Sequence, residues 1–386
     1  MSKDSSRSNS MNTGDSNNDS IDAKEQLATE KEFEKIQKRY SILNYSIDSL
    51  FNTLKKTIIG QDECVKKLLF VQYNNHFLNL LEHITGTHIK HLNALAIGPS
   101  GSGKTLTISK ISELFNVPYV KIDATSLTSA GYVGIDVDSI YLTLIKAAGG
   151  DFEAAQQGII FIDEIDKKVS SSPQNTSSRD INGTAVQEEL LNLLQPSITY
   201  IGKELRPFNP RNITIYLGGH FRDLPKIREK RLRGTGTVGF ESKPSSFEQD
   251  DDLVFNSDKT SPEYIPEDLI NFGLIPEFVG RILIYTEFKK LSLFDTLDII
   301  HAENSILQQY LQVFASRGTE LFIDETNFFD IACEVLNSST GTRDLEKKII
   351  DLLYPALYQT LQNYESGICE INADRKFFSI FPERKK

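Results

Sequence analysis

The hydrophobic positions of this sequence form short apolar runs that alternate with segments of helical periodicity. Five runs have the length and β-branched content of buried strands. They are Asn93–Ile97, Tyr119–Ala124, Gly158–Glu164, Ile213–Gly219 and Ile282–Phe288. Because parallel strands need crossover connections, this alternation predicts an α/β fold with a parallel sheet and helices on both of its faces.

The pattern changes on both sides of this region. Upstream, the stretch from Tyr45 to His83 has apolar residues at helical spacing around a break at Ile59-Gly60, which predicts two helices joined by a short turn. Downstream of Leu291 the strand pattern stops, and amphipathic segments predict helices followed by one terminal strand, KFFSIF. We therefore predict a large domain over residues 41–290 and a small, mostly helical domain over residues 291–386.

The start of the chain lacks hydrophobic patterning. Its first 20 residues contain no Leu, Ile, Val or Phe, so burial cannot offset the entropy of ordering them. We expect residues 1–40 to be a disordered tail. Its acidic residues and its lack of an Arg-rich amphipathic pattern make it a poor transit peptide, and it is no secretory signal.

Composition excludes several classes of function. The 386 residues carry a formal net charge of −11 and no block of Lys or Arg that would override it locally, which disfavours binding to nucleic acid. No apolar run approaches the ~18 residues of a membrane span, so a membrane role is not expected. The three cysteines, Cys64, Cys333 and Cys369, are far apart, so we predict neither a disulfide framework nor a zinc site.

Two polar segments lie outside the strand pattern. The segment HITGTHIKH contains His83, His88 and His91, but it lacks a helical i, i+4 pair and has only Glu82 as a further ligand. We interpret it as a polar connection rather than a metal site. The stretch from Lys226 to Pro266 is acidic and weakly apolar, and a connection of this length is typical of a functional or mobile loop.

A glycine-rich octapeptide, GPSGSGKT, follows the first predicted strand and opens a predicted helix. The motif G-x-x-x-x-G-K-[ST] in this context places backbone N–H groups and the positive end of a helix around phosphate oxygens. Lys104 would contact the β- and γ-phosphates, and the Thr105 hydroxyl would hold Mg²⁺. The residues expected to bind ATP here are Gly98, Pro99, Ser100, Gly101, Ser102, Gly103, Lys104, Thr105 and Leu106.

Two adjacent acidic residues, Asp163 and Glu164, end the predicted strand GIIFIDE. They fall at the carboxyl edge of the sheet, which the phosphate loop also faces. Asp163 suits a place beside the nucleotide-bound Mg²⁺, and Glu164 is placed to orient and deprotonate a water molecule. The pair favours ATP hydrolysis, by a motor or a switch, over phosphoryl transfer by a kinase.

Seven segments together resemble, in order and spacing, the AAA+ protein unfoldases of the Clp X type. They are IIGQDECVKK, GPSGSGKT, AGYVGIDVDS, GIIFIDEIDK, SSRDINGTAVQEELL, EDLINFGLIPEFVGR and TGTRDLEKKI. The resemblance covers residues 48–364, and its segments GYVG and FGLIPEFVGR are more specific than the phosphate loop. It implies an AAA+ P-loop sheet, a small helical domain, and a homohexameric ring that hydrolyses ATP at subunit interfaces and pulls polypeptide through its pore.

The resemblance also assigns roles around the nucleotide. Arg281 matches the arginine finger, which would reach the γ-phosphate held by the neighbouring subunit, and Arg343 matches the sensor of the small domain. A planar, always-charged guanidinium suits both roles because it stabilises charge on the transferring phosphoryl group. A surface salt bridge is the alternative for each. Ile58 and Ile59 match the apolar wall around adenine, with packing at a helix break as the alternative.

Two segments match pore loops. Tyr132 and Val133 match the loop that grips the substrate, where flanking glycines would let the loop swing and an aromatic ring would give a grip that tolerates any sequence. An ordinary turn with a buried tyrosine is the alternative. Arg179 matches a second pore loop.

The resemblance further implies partners and a compartment. Val238, Gly239 and Phe240 match the aliphatic-Gly-Phe tripeptide that docks a Clp-type peptidase, but the small Val238 and the following Glu241 predict weak or absent docking. Bacterial members carry an amino-terminal zinc module, and here a Ser/Asn-rich segment stands in its place. Eukaryotic relatives are generally mitochondrial, so we expect the mitochondrial matrix, with the cytoplasm as the alternative.

The expected function is that of an ATP-dependent unfoldase or remodelling chaperone acting on unfolded or tagged proteins. The main alternative is a degenerate AAA+ subunit that binds nucleotide and serves as a scaffold. The intact set Lys104, Asp163, Glu164, Arg281 and Arg343 favours hydrolysis, because a scaffold has no use for it. A clamp-loader-like DNA ATPase is disfavoured by the acidic charge and by the pore-loop motif.

Overall fold

The computed structural model describes residues 34–127, 137–169, 181–201, 205–233, 263–338, 341–363 and 366–381. The described residues up to Ser46 belong to one compact unit and those from Ile47 onward to another. In the first unit, residues 34–39 are helical and Ser41–Asn44 form a 3-10 turn. The predicted disordered tail otherwise lies outside the described residues, and the predicted domain boundary near residue 290 stays a prediction.

The helices of the second unit, numbered in chain order, are α1 (Ile47–Lys55), α2 (Asp62–Thr85), α3 (Lys104–Phe115), α4 (Val137–Ala147), α5 (Phe152–Ala155), α6 (Ile181–Leu194), α7 (Leu224–Leu232), α8 (Pro266–Phe272), α9 (Pro276–Val279), α10 (Leu293–His301), α11 (Ile306–Ser316), α12 (Thr326–Asn337) and α13 (Leu345–Gln362). The strands are β1 (Ala94–Ile97), β2 (Tyr119–Asp123), β3 (Ile159–Asp163), β4 (Thr199–Ile201), β5 (Arg206–Phe208), β6 (Thr214–Gly219), β7 (Ile284–Glu287), β8 (Glu320–Ile323), β9 (Ile368–Ile371) and β10 (Phe377–Ile380).

The predicted parallel sheet is confirmed. It has five strands in the order β2-β3-β6-β1-β7, and every neighbouring pair is parallel. Every residue of β3 and β6 is buried, because helices cover both faces of the central strands. The core contains Leu95, Ile162, Leu217 and Phe278. All five strands therefore end at one edge, where the site is built.

A second hydrophobic cluster and a second sheet lie in the C-terminal part of the chain. The cluster joins α10 to α13 through residues such as Phe314, Phe328, Ile349 and Leu353. The predicted terminal strand is confirmed as β10, but the prediction missed β8 and β9, which form a three-stranded sheet with it. Strands β8 and β9 have four residues each, and β8 has no buried residue, so their apolar pattern is too weak to separate from the helices.

The connection after β6 also differs from the prediction. We expected a long loop from Lys226, but residues Leu224–Leu232 form α7. Leu224 is its only buried residue, so its sequence LPKIREKRL has little hydrophobic pattern to indicate a helix. It is held to α8 by an ion pair between Arg231 and the buried Asp268, at 2.9 Å. Among the described helices, none has the length and apolar character to cross a membrane.

Candidate functional site

The carboxyl edge of the parallel sheet opens into a cleft of about 500 Å³. Its lining residues are Ser100, Gly101, Ser102, Gly103, Lys104, Thr105, Leu106, Asp163, Glu164, Asp166, Lys167, His220, Arg222, Thr342 and Arg343. The volume is that of a typical small-molecule site. The structure thus brings together the phosphate loop, the acidic pair and Arg343, which lie far apart in the sequence.

The phosphate loop folds over the buried Lys104. The Lys104 ammonium donates hydrogen bonds to the carbonyl oxygens of Gly98 at 2.6 Å and Pro99 at 2.9 Å. Gly101 and Gly103 have φ values of +78° and +96°, which glycine adopts without strain. Gly103 caps α3, which begins at Lys104, so the positive end of that helix faces the cleft. This geometry suits binding of phosphate groups.

The electrostatics of Lys104 favour an anionic ligand. Burial lowers the pKa of its ammonium group, the charges of Arg343 and Lys121 lower it further, and Asp163 and Asp166 act in the opposite direction. A positive charge that is partly desolvated and near other cations gains most from a polyanion in the cleft. The lysine therefore has the environment expected of a phosphate ligand.

The acidic pair at the end of β3 has an unusual backbone. Glu164 has φ +62°, a left-handed conformation that costs a residue other than glycine about 1–3 kcal/mol. The Asp163 carboxylate accepts the Glu164 N–H at 3.0 Å and stabilises this turn. The Glu164 carboxylate lies 2.5 Å from the Lys167 ammonium, and this hydrogen bond raises the pKa of Lys167. The turn directs Glu164 into the cleft while Asp163 stays buried.

The loop after β6 is held by Asp166. Its carboxylate accepts the N–H groups of His220 at 3.1 Å and Phe221 at 3.3 Å. A Cβ atom at Gly219 would lie 2.6 Å from this carboxylate, and one at Gly218 would lie 2.7 Å from the Phe161 ring and 3.1 Å from Asp163. The two glycines that end β6 therefore leave no room for a larger polar side chain beside Asp163.

We expect Gly218→Ala to lower the free energy of unfolding by about 1–3 kcal/mol, because the added methyl group overpacks the Phe161 ring next to the site. Chemical denaturation would measure this. Gly280→Ala is the matched control, since its nearest atom is 3.4 Å away and its backbone is helical. Equal stability of the two variants would contradict the packing argument.

The turn before α13 contacts the phosphate loop directly. The Thr342 hydroxyl donates a hydrogen bond to the carbonyl of Gly101, and Arg343 lines the cleft. The C-terminal helices therefore reach the phosphate loop through this turn, and the sensor role of Arg343 stays a prediction.

A second cavity of about 240 Å³ adjoins the phosphate loop. It is bounded by Pro99–Ser102 on one side and by Leu291, Val335 and Leu336 on the other. Ile58 and Ile59, predicted to wall the adenine, do not line either cavity, and Ile58 is 3% exposed in the core. Within the described residues, the apolar wall opposite the loop in this cavity comes from the C-terminal part of the chain, and the adenine role of Ile58 and Ile59 stays a prediction.

The remaining predicted residues fall outside the cleft. Arg281 follows α9 and is partly exposed, and it is not among the residues that line either cavity. The predicted pore-loop residues Tyr132, Val133 and Arg179 lie outside the described residues, as does the predicted peptidase-docking tripeptide.

Sequence reasoning missed six charged or polar residues at the site: Lys121, Asp166, Lys167, His220, Arg222 and Thr342. His220 and Arg222 follow a parallel strand, so the rule that such strands end at one edge could have found them. Lys121 lies in the middle of the predicted strand YVKIDA, between two apolar residues, and a charged residue at such a position could have indicated a place at the site.

The histidine segment lies away from this cleft. His88 Nδ1 lies 3.1 Å from Glu82, and burial, followed by the charge of His88, lowers the pKa of His91 to about 4. Within the described ranges, no group of three or more His, Cys, Asp or Glu side chains is arranged to hold a metal ion.

Comparison with known proteins agrees with this geometry. Residues 89–285 match the family described as AAA domain (Cdc48 subfamily). The chain is 37% identical over 320 residues to the ATP-dependent Clp protease ATP-binding subunit ClpX of Borrelia duttonii (strain Ly), covering 79% of this chain and 72% of that protein. It is also 37% identical over 331 residues to the protein of that name from Azotobacter vinelandii, covering 81% and 73% respectively. With its phosphate loop at the edge of a parallel sheet, the chain belongs to the ClpX-like family of AAA+ ATPases.

Proposed function

We propose that this ATPase is a protein unfoldase or remodelling chaperone, which assembles as a homohexamer and threads unfolded or tagged polypeptides through a central pore. The relatives are named as ATP-binding subunits of a Clp protease, and this supports a role in handling protein substrates. The acidic net charge of −11 argues against a DNA-dependent ATPase.

One observation carries the proposal: Thr342 and Arg343 reach the phosphate loop from the C-terminal helices. A nucleotide in the cleft would contact both the sheet and this turn. Binding and hydrolysis would therefore change the position of the helices relative to the sheet, which is what a motor requires and a static scaffold does not.

The residues at the loop fit a nucleotide with its metal. Lys104 would exchange its bonds to the Gly98 and Pro99 carbonyls for bonds to phosphate oxygens. Thr105 and Asp163 provide the oxygen atoms that Mg²⁺ prefers, and both already face a cation, the Lys121 ammonium. Bound Mg²⁺ would neutralise charge on the phosphates.

Glu164 would act as the general base. Its carboxylate would accept a proton from a water molecule as that oxygen bonds to the γ-phosphorus, while the bond to the β–γ bridging oxygen breaks. Arg343 would stabilise the phosphates from within the subunit, and Arg281 would do so from the neighbouring subunit.

We propose further that Val238, Gly239 and Phe240 form a weak docking segment for a Clp-type peptidase. A ring of such segments adds affinity by avidity, but a smaller aliphatic residue weakens each contact. The protein would then act mainly as a remodeller, and co-sedimentation with a Clp-type peptidase measures this. Tight, ATP-dependent co-sedimentation that is lost on Phe240→Ala would contradict it.

The experiment that tests the function follows ATP hydrolysis and the unfolding of a stable, tagged fluorescent protein. We expect unfolded protein, but not DNA, to stimulate the ATPase. Tyr132→Ala should keep at least about half of the basal ATPase and lose most of the unfolding, because a methyl group cannot replace the grip of the aromatic ring. Tyr200→Ala, at an exposed tyrosine on β4, is the control. Unchanged unfolding by Tyr132→Ala would contradict the pore role.

A further inference from the structure

Lys121 projects from β2 towards Thr105 and Asp163, the two residues proposed to hold Mg²⁺. Its ammonium donates a hydrogen bond to Thr105 Oγ1 at 3.1 Å and lies 2.8 Å from Asp163 Oδ2. The group also lies 5.8 Å from the centroid of the Phe161 ring, on the neighbouring strand β3. A cationic side chain therefore bridges the hydroxyl and the carboxylate that the proposed function assigns to Mg²⁺.

The ammonium and the metal cannot hold these oxygens together. Mg²⁺ takes oxygen ligands at about 2.0–2.1 Å in a nearly octahedral shell. A lysine in contact with the same hydroxyl and carboxylate would occupy space in that shell and repel the divalent ion. One cation has to leave before the other enters.

The structure offers Lys121 a second carboxylate. Asp123 lies two residues further along β2 on the same face, and it pairs in register with Asp163 across the sheet. The Lys121 side chain is 38% exposed, so it can rotate without disturbing the core. Its charge would stay near the cleft after such a movement.

We propose that Lys121 is a built-in competitor of Mg²⁺: it occupies the place between Thr105 and Asp163 in the nucleotide-free protein and moves to Asp123 when the metal enters with the nucleotide. The inference rests on the assignment of Thr105 and Asp163 to the metal in the proposed function. Lys121 would thereby reduce the dependence of nucleotide binding on Mg²⁺.

The proposed competition predicts how the Mg²⁺ dependence of nucleotide binding changes when the Lys121 charge is removed. Without the Lys121 ammonium, a metal-free nucleotide loses a cation near its phosphates and binds more weakly. Mg²⁺ then has no cation to displace, so it strengthens nucleotide binding by a larger factor than in the wild type. Such a coupling between two ligands typically amounts to about 5-fold to 150-fold.

The test compares nucleotide binding in EDTA and in excess Mg²⁺, using a fluorescent adenine nucleotide and the full-length chain. For Lys121→Met we expect the ratio of the Kd in EDTA to the Kd in Mg²⁺ to rise at least about fivefold over the wild type. Lys121→Arg should restore the wild-type ratio. Lys110→Met is the matched control, because Lys110 has similar exposure and lies 2.7 Å from Glu113, outside the cleft.

A ratio for Lys121→Met that equals those of the wild type and Lys110→Met would overturn the competitor role, and so would a lower ratio. Lys121→Met protein that binds nucleotide equally in EDTA and Mg²⁺ would overturn the metal assignment as well. Lys121→Gln provides a second neutral variant, and thermal melting without nucleotide checks that each variant is folded.

Discussion

Glu164→Gln is expected to keep ATP binding and to lower the rate of hydrolysis by a factor on the order of a hundred or more. The amide has nearly the same size and its oxygen can still accept hydrogen bonds, but the amide cannot accept the proton of the attacking water. Lys104, Thr105 and Asp163 are unchanged, so the nucleotide keeps its contacts. Single-turnover hydrolysis and nucleotide titration measure the two quantities separately.

The control for this substitution is Glu113→Gln. Glu113 lies on α3 and pairs with Lys110 at 2.7 Å, away from the cleft, so hydrolysis should stay near that of the wild type. If Glu164→Gln lost binding and turnover to the same extent, Glu164 would be a ligand or a structural residue rather than the base. The left-handed backbone of Glu164 makes a structural role a real alternative. A lower melting temperature of Glu164→Gln would indicate a structural role, and an unchanged one would indicate a ligand.

The second large effect concerns Arg281. We expect Arg281→Ala and Lys104→Ala each to lose at least about a hundredfold in ATPase activity when assembled alone. Rings that contain both variants should recover activity. A subunit with an intact phosphate loop then receives the arginine of a neighbour that has lost its own Lys104. For independent sites in an equal mixture, about a quarter of the sites have both intact parts.

Co-expression with two different tags and tandem purification yields such mixed rings. Rings in which both tagged chains carry Arg281→Ala serve as the control. Light scattering shows whether each preparation forms rings of the same mass. Mixed rings as inactive as the two parents would contradict an action across the interface. Activity of Arg281→Ala alone near that of the wild type would exclude Arg281 from catalysis.

Local sequence patterns predicted the central sheet and the phosphate loop well. Strands β3 and β6 are buried along their full length and appear as unbroken apolar runs. The loop is a contiguous motif whose glycines are required by its backbone, and Asp163 and Glu164 follow directly from a strand end. In each case the residues that define the feature are neighbours in the chain.

Features that depend on tertiary contacts were predicted less well. Strand β8 has no buried residue, and it is held by pairing with β9, which lies far along the chain. The bridge from Lys121 to Thr105 and Asp163 requires the register of two strands and a helix. Residue type and spacing cannot distinguish such placements.

The turn that carries Thr342 also has a mechanical consequence. Thr342 bonds to the Gly101 carbonyl, and the turn leads directly into α13, which shares a core with α12. Linkage is reciprocal, so if nucleotide moves this turn, then moving the turn changes nucleotide affinity by the same free energy. A force that pulls α12 and α13 away from the sheet should therefore weaken nucleotide binding, and the opposite force should strengthen it. If the protein pulls polypeptide as proposed, the rate of ATP turnover would then report the resistance of that polypeptide.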